Sequence, residues 1–172
     1  NQILLRYGSI EKGGNKQKLS SYLFFKGFLY EILLIFVFLG FSFFYREKYE
    51  NVYFIFIFCS IRLLGFYLSN HIQTYYRNNK KNDIFAKVSN AINIGGFILL
   101  LVLTYLFKFY GYLLAIALIP YLSLFWLKKE MFSAKRIVYD NKKEIWRFGI
   151  FTAATSVISE TLFSLDVMLL GF

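Results

Sequence analysis

An all-α integral membrane fold is what the sequence predicts, and three observations predict it. Hydrophobic residues make up 58% of the 172 positions, they collect into runs long enough to cross a bilayer, and the basic residues gather between alternate runs. A positive mean hydropathy and a single proline are equally unlike an ordinary soluble domain.

Residues 22–45, 52–69, 91–107 and 109–127 are each about as long as a bilayer-spanning helix requires. With 149–172 they make five candidate spans, A to E. Only helices and closed barrels satisfy their backbone in lipid, and continuous apolar runs are helical where barrel strands alternate. Residues 1–21, basic and punctuated by glycine, read as a cytoplasmic connection into A. REKYEN, between A and B, is a very short outer loop. KFYG, between C and D, forces these two spans into a tight antiparallel hairpin. Gly111 and Ala115 form a small-xxx-small pair at the start of D that favours close helix approach. Residues 128–148 are the longest polar stretch, a cytoplasmic surface segment and the best candidate boundary. Span E follows it.

The net charge of +10 raises the question of nucleic acid, and the location of the charge answers it. Four basic residues precede A (Arg6, Lys12, Lys16, Lys18), four lie between B and C (Arg77, Lys80, Lys81, Lys87) and seven between D and E (Lys128, Lys129, Lys135, Arg136, Lys142, Lys143, Arg147). The other side has only Arg46, Lys48 and Lys108. This asymmetry is the positive-inside pattern: it predicts no nucleic-acid partner, puts the N-terminal segment in the cytoplasm and runs A, C and E outward. Tyr45, Tyr49 and Tyr53 at the outer ends of A and B, and Trp126 and Trp146 at the inner ends of D and E, suit the headgroup levels. Most of the phenylalanine is assigned to lipid contact or packing.

Cys59 is the single cysteine and His71 the single histidine. Neither belongs to a cluster with metal-ligand spacing, and no phosphate-binding Gly-rich loop ends in Gly-Lys-Ser/Thr. The reading therefore includes no catalytic residue, metal or cofactor. The chain begins at Asn1 with no signal-like segment and ends within E, so it is read as an interior piece of a longer membrane protein.

Polar groups inside the spans are the candidate functional residues, because ionisable side chains at membrane depth are costly and normally face protein or water. Lys26 is near enough to the inner end of A to snorkel. Glu31 lies roughly 14 Å from the inner end of A and Arg62 roughly 15 Å from the outer end of B, both near mid-membrane. The two are candidates either for a buried ion pair or for a polar path. Cys59, Arg62, Ser69 and Gln73 share a narrow arc of B, and Asn90 and Asn93 sit at the inner end of C. In E, Thr152, Thr155, Ser156, Ser159, Glu160 and Asp166 share a face about 140° wide. Glu160 and Asp166 are about 9 Å apart along the axis, too far apart to be a proton-sharing dyad.

Three stretches carry a resemblance. LLRYGSIEKGGNKQKLSSYLFF has an Arg and then a glycine-containing basic loop before a span. HIQTYYRNNKKNDIFAKVSNAINIGGFILLLVLTYLFKFYGYLLAIAL has a Gln and aromatics before a basic turn, an Asn-x-x-Asn pair, and a short outer turn with Gly. RFGIFTAATSVISETLFSLDVMLLGF has a Phe-Gly pair, small polar residues, and Asp166 shortly before a Leu-Gly pair. In this order they resemble a polysaccharide flippase, of the O-antigen and capsule-unit branch, in the multidrug, oligosaccharidyl-lipid and polysaccharide exporter superfamily. One departure is that Ile150 and Phe151 stand where the family often has Pro after Phe-Gly.

The resemblance implies that A to E are the third to seventh helices of a two-lobed transporter with 12 to 14 helices. Residues 1–127 would belong to the first lobe, 128–148 to the inter-lobe connection, and 149–172 to the first helix of the second lobe. It further implies alternating access in a bacterial cytoplasmic membrane. The cargo would be a lipid-diphosphate-linked oligosaccharide, and the partners membrane lipids and other polysaccharide-assembly proteins. Arg62, Ser69, Gln73, Asn90, Asn93, Ser159, Glu160 and Asp166 are the candidates for the substrate path. A cation-coupled multidrug exporter of the same superfamily, a membrane-embedded polymerase or acyltransferase, and a passive structural subunit stay open as alternatives.

Overall fold

The computed structural model describes residues 2–10, 14–45, 51–132 and 142–170, excepting the side chains of residues 10, 14, 15, 45, 142 and 160–170. Among the described residues the chain is helical, with no strand. Helix α1 spans Gln2–Ile10, α2 Gly14–Tyr45, α3 Val52–Asn78 and α4 Asn82–Asn90. A π-helical turn, Ala91–Gly95, joins α4 to α5, Gly96–Leu118, and 3₁₀ segments follow at Ile119–Trp126 and Lys129–Met131 before α6, Lys142–Leu170. Among the described residues three helical tracts are long and apolar enough to cross a membrane: Lys16–Phe44, Val52–Asn78 and Asn82–Trp126.

The last of these does not run straight. Lys108 has φ 51° and ψ −124°, a non-helical conformation inside α5, and beyond it the chain turns back on itself. A Cβ at Gly96 would meet the Ile119 side chain at 2.8 Å, one at Gly95 would meet Leu122, and one at Gly111 would run into the Leu103 carbonyl oxygen. These pairings need an antiparallel hairpin with its tip at Lys108, where KFYG predicts one. The α-helix gives way to 3₁₀ geometry around Pro120, which has no N–H to donate to a carbonyl four residues back. Tracts B and C both extend beyond the apolar runs, B to Asn78 and C back to Asn82. Packing holds these extensions: Ile72, Tyr75, Tyr76, Val88 and Met131 form a buried cluster, with Trp126 and Phe132 against it.

Two ends emerge from the contacts. At one, Lys16 donates to the Asn78 carbonyl, Gln17 to the Glu130 carbonyl at 3.0 Å and Tyr76 to the Trp126 carbonyl at 2.7 Å. At the other, Tyr110 donates to Asn51 Oδ1 at 3.0 Å and its ring meets Phe54. Between them α2 and the hairpin lie against α3. Much of the α2 surface is apolar and exposed, with Phe36, Phe43 and Phe44 at 69%, 67% and 83%, as expected for side chains in contact with lipid or further helices. Helix α6 lies against α1, where Arg6 stacks on Phe148, and Trp146 donates to the Tyr22 hydroxyl at 3.1 Å. It begins at Lys142, inside the stretch read as a connection.

Candidate functional site

Helix α3 presents two faces, and each takes a different neighbour. Toward α2 it turns Phe56, Tyr67 and His71. Phe56 stacks on Phe38, Tyr67 donates to the Phe24 carbonyl at 2.6 Å and the His71 ring meets Phe24. Gly27 makes this approach possible, because a Cβ there would collide with the Tyr67 hydroxyl. Toward the hairpin, Gly65 admits Tyr121 and Pro120: a Cβ would meet the Tyr121 ring at 2.6 Å and Pro120 at 3.1 Å. Tyr121 also donates to the Ile61 carbonyl at 2.8 Å.

On the hairpin side lies a cavity of about 280 Å³. Arg62, Phe66, Ser69, Asn70 and Gln73 of α3 line one wall; Ser89, Ile92 and Asn93 line a second; Ile116, Ile119 and Pro120 close it. Spacings of three and four residues put the α3 group on one helical face. Arg62 is half-buried, its guanidinium over the Phe66 ring at 5.2 Å, and Gln73 donates to Ser69 Oγ at 3.2 Å. Among the described residues Arg62 is the one ionisable group in the lining, beside amides, hydroxyls and branched apolar side chains. A guanidinium held this way keeps its planar fork available for an anion, and phosphate oxygens match that fork in two-point geometry.

Four sequence candidates, Arg62, Ser69, Gln73 and Asn93, are thus brought together. Asn90 is exposed and outside the lining. Ser159 is exposed on α6, and no described residue of α6 lines this cavity. The side chains of Glu160 and Asp166 lie outside the described residues. Earlier in the same helix Thr152 and Thr155 donate to the carbonyls of Phe148 and Phe151 at 2.8 and 2.9 Å, so these hydroxyls spend their protons on the helix's own backbone. The candidate ion pair is not formed: among the described residues no ion pair joins Glu31 to Arg62. The geometry explains this, since α2 packs on the Tyr67 face and Arg62 is five residues from Tyr67, about 140° around α3.

Asn70 and Ser89 line the cavity without having been among the sequence candidates. Asn70 is two helical turns beyond Arg62, a spacing that extends the polar stripe. Ser89 belongs to α4, Asn82–Asn90, where a lone serine in a polar turn carries no signal of its own, unlike the neighbouring Asn-x-x-Asn pair. Among the described residues no cluster of three or more His, Cys, Asp or Glu side chains could hold a metal.

Fold and site together define a class: an all-helical protein of membrane type, with a polar chamber carrying an arginine between apolar helices. Neither a family model, nor a curated protein, nor a solved structure matches the chain.

Proposed function

We propose that this chain forms part of a flippase that carries a lipid-diphosphate-linked oligosaccharide from the cytoplasmic to the outer leaflet of a bacterial inner membrane by alternating access. The observation that carries the reading is Arg62, half-buried in a cavity of about 280 Å³ with a mixed polar and apolar lining against the hairpin. Its depth is roughly 15 Å along α3 from Val52, near the middle of a bilayer core. A cation at that depth is retained only where it meets protein, water or an anion. The volume suits a diphosphate or one sugar ring, not a whole repeat unit, so the polyprenyl tail stays in lipid. On this reading each limb of the hairpin turning at Lys108 crosses the membrane, and with α2, α3 and α6 five spans result.

A drug exporter would bring mostly cationic cargo against a like charge, which disfavours that alternative. An enzyme would need an acid–base or nucleophile pair, and among the described residues the lining offers a single ionisable group. The test is export of a lipid-linked saccharide by the full-length transporter in inverted membrane vesicles. Arg62→Gln is expected to lower export at least about tenfold, the loss of one charge-assisted contact, at unchanged membrane insertion. Undiminished export by a fully inserted Arg62→Gln protein overturns the reading.

A further inference from the structure

A second cavity, of about 320 Å³, lies at the opposite end of α3 from Asn51, and no residue of it belongs to the transport path proposed above. Lys16 and Gln17 line one side, Tyr75, Asn78 and Asn79 the end of α3, and Glu130 the far wall. Lys16 donates to the Asn78 carbonyl, which occupies one of the three donors of its ammonium. Glu130 accepts the Tyr75 hydroxyl on one carboxylate oxygen at 3.3 Å and Gln17 on its backbone carbonyl. Among the described residues no ion pair joins Lys16 to Glu130. One cleft therefore holds a cation and an anion, each with hydrogen-bonding capacity left over. Asn79 turns its Nδ2 to the Tyr75 carbonyl at 2.9 Å, leaving its Oδ1 to accept from elsewhere.

A ligand of one sign would gain from one of these charges and be repelled by the other. A group with a phosphate and an ammonium a short chain apart satisfies both. The position selects the source of that group. Glu130 follows shortly after Phe125 and Leu127, which are 84% and 42% exposed, and Lys128 and Lys129 stand between. An apolar flank passing into a charged cleft at the end of three membrane-length helices is the geometry of a lipid–water boundary.

We propose that this cleft binds the head group of a phosphatidylethanolamine-type phospholipid. Lys16 and Gln17 hold the phosphate, Glu130 and Asn79 Oδ1 take the ammonium, and the acyl chains lie along the Phe125 flank. The full-length protein, purified in mild detergent with equal amounts of phosphatidylethanolamine, phosphatidylglycerol and phosphatidylcholine, is assayed by native mass spectrometry for the lipid it retains. The wild type is expected to keep phosphatidylethanolamine about tenfold over both others, the value of one charge-assisted hydrogen bond: the glycerol head group has no ammonium, and the trimethylated one has no N–H. Glu130→Gln is expected to erase the preference over phosphatidylglycerol; Lys16→Gln weakens retention of all three, and Lys16→Arg restores it. Millimolar glycerophosphoethanolamine should leave the bound lipid in place, and its displacing the lipid would replace the lipid assignment with a soluble ligand. Equal retention of the three lipids by the wild type overturns the proposal without any variant having to fold, as does an unchanged preference in folded Glu130→Gln.

Discussion

Gly65 shows how one residue can set the shape of the chamber. With no side chain it lets the Tyr121 ring and Pro120 reach the backbone of α3, and Tyr121 fastens the contact through the Ile61 carbonyl. Because the obstructing atoms belong to a ring and a proline, neither can swing aside as a flexible chain would. Gly65→Val is therefore expected to destabilise the protein by about 1–3 kcal/mol through overpacking, read as a lower midpoint in detergent thermal unfolding. Tyr121→Phe keeps the packing and removes one hydrogen bond, so its expected cost is smaller, about 0.6 kcal/mol by the average found between membrane helices. If the two substitutions cost the same, the contact is made by the hydrogen bond and not by shape. Arg62 is the complementary case: its neighbours are Phe66 and the chamber, so on the proposed flippase reading its replacement should alter transport far more than unfolding.

At the scale of elements, the hairpin is the feature on which the chamber depends. Lys108 holds a φ of 51° with ψ −124°, a region open to glycine at little cost and to other residues only at about 1–3 kcal/mol. Lys108→Gly is accordingly expected to raise the unfolding midpoint, whereas Lys108→Pro, with φ fixed near −65°, should prevent closure and lower it sharply. Gly111→Leu tests the same closure from inside, since even a Cβ there runs into the Leu103 carbonyl. Much of this element was legible in the sequence: KFYG between two apolar runs left too few residues for anything but a tight turn, and the Gly111 and Ala115 pair marked a close approach, both residues being buried. Where B ends and C begins was not. A hydropathy run stops where lipid stops, but α3 continues to Asn78 because Tyr75 and Tyr76 pack against Val88 and Met131, a partnership between distant segments that no local window contains. The polar chamber was half legible for the same reason. The Arg62, Ser69 and Gln73 stripe follows from helical spacing, but which neighbour it faces depends on α2 choosing the Tyr67 side, and this choice removes Glu31 as a partner for Arg62.

For the molecule as a whole, the two ends of the bundle carry different charge, and the contacts say which segments share an end. Lys16, Asn78 and Glu130 meet at one, beside Lys80, Lys81, Lys128 and Lys129 in the chain; Asn51 and Tyr110 meet at the other, where Lys108 is the nearest cation in sequence. A charge bias of this kind orients helices during insertion, with the basic end retained in the cytoplasm. In a background freed of cysteine, with Cys59→Ser removing the one in these 172 residues, a cysteine at Lys80 is expected to react with a membrane-impermeant maleimide only when the cytoplasmic face is open, and one at Lys108 only from outside. Both positions reacting from the same side would mean that the hairpin does not cross, so the chamber would open to one compartment and could not support alternating access. The reverse pattern would keep the crossings but invert them, placing the Lys16 and Glu130 cleft in the outer leaflet. The expected pattern sets the cleft at the cytoplasmic surface and Arg62 about halfway between the two compartments, the one depth from which a cation can serve cargo arriving from either side.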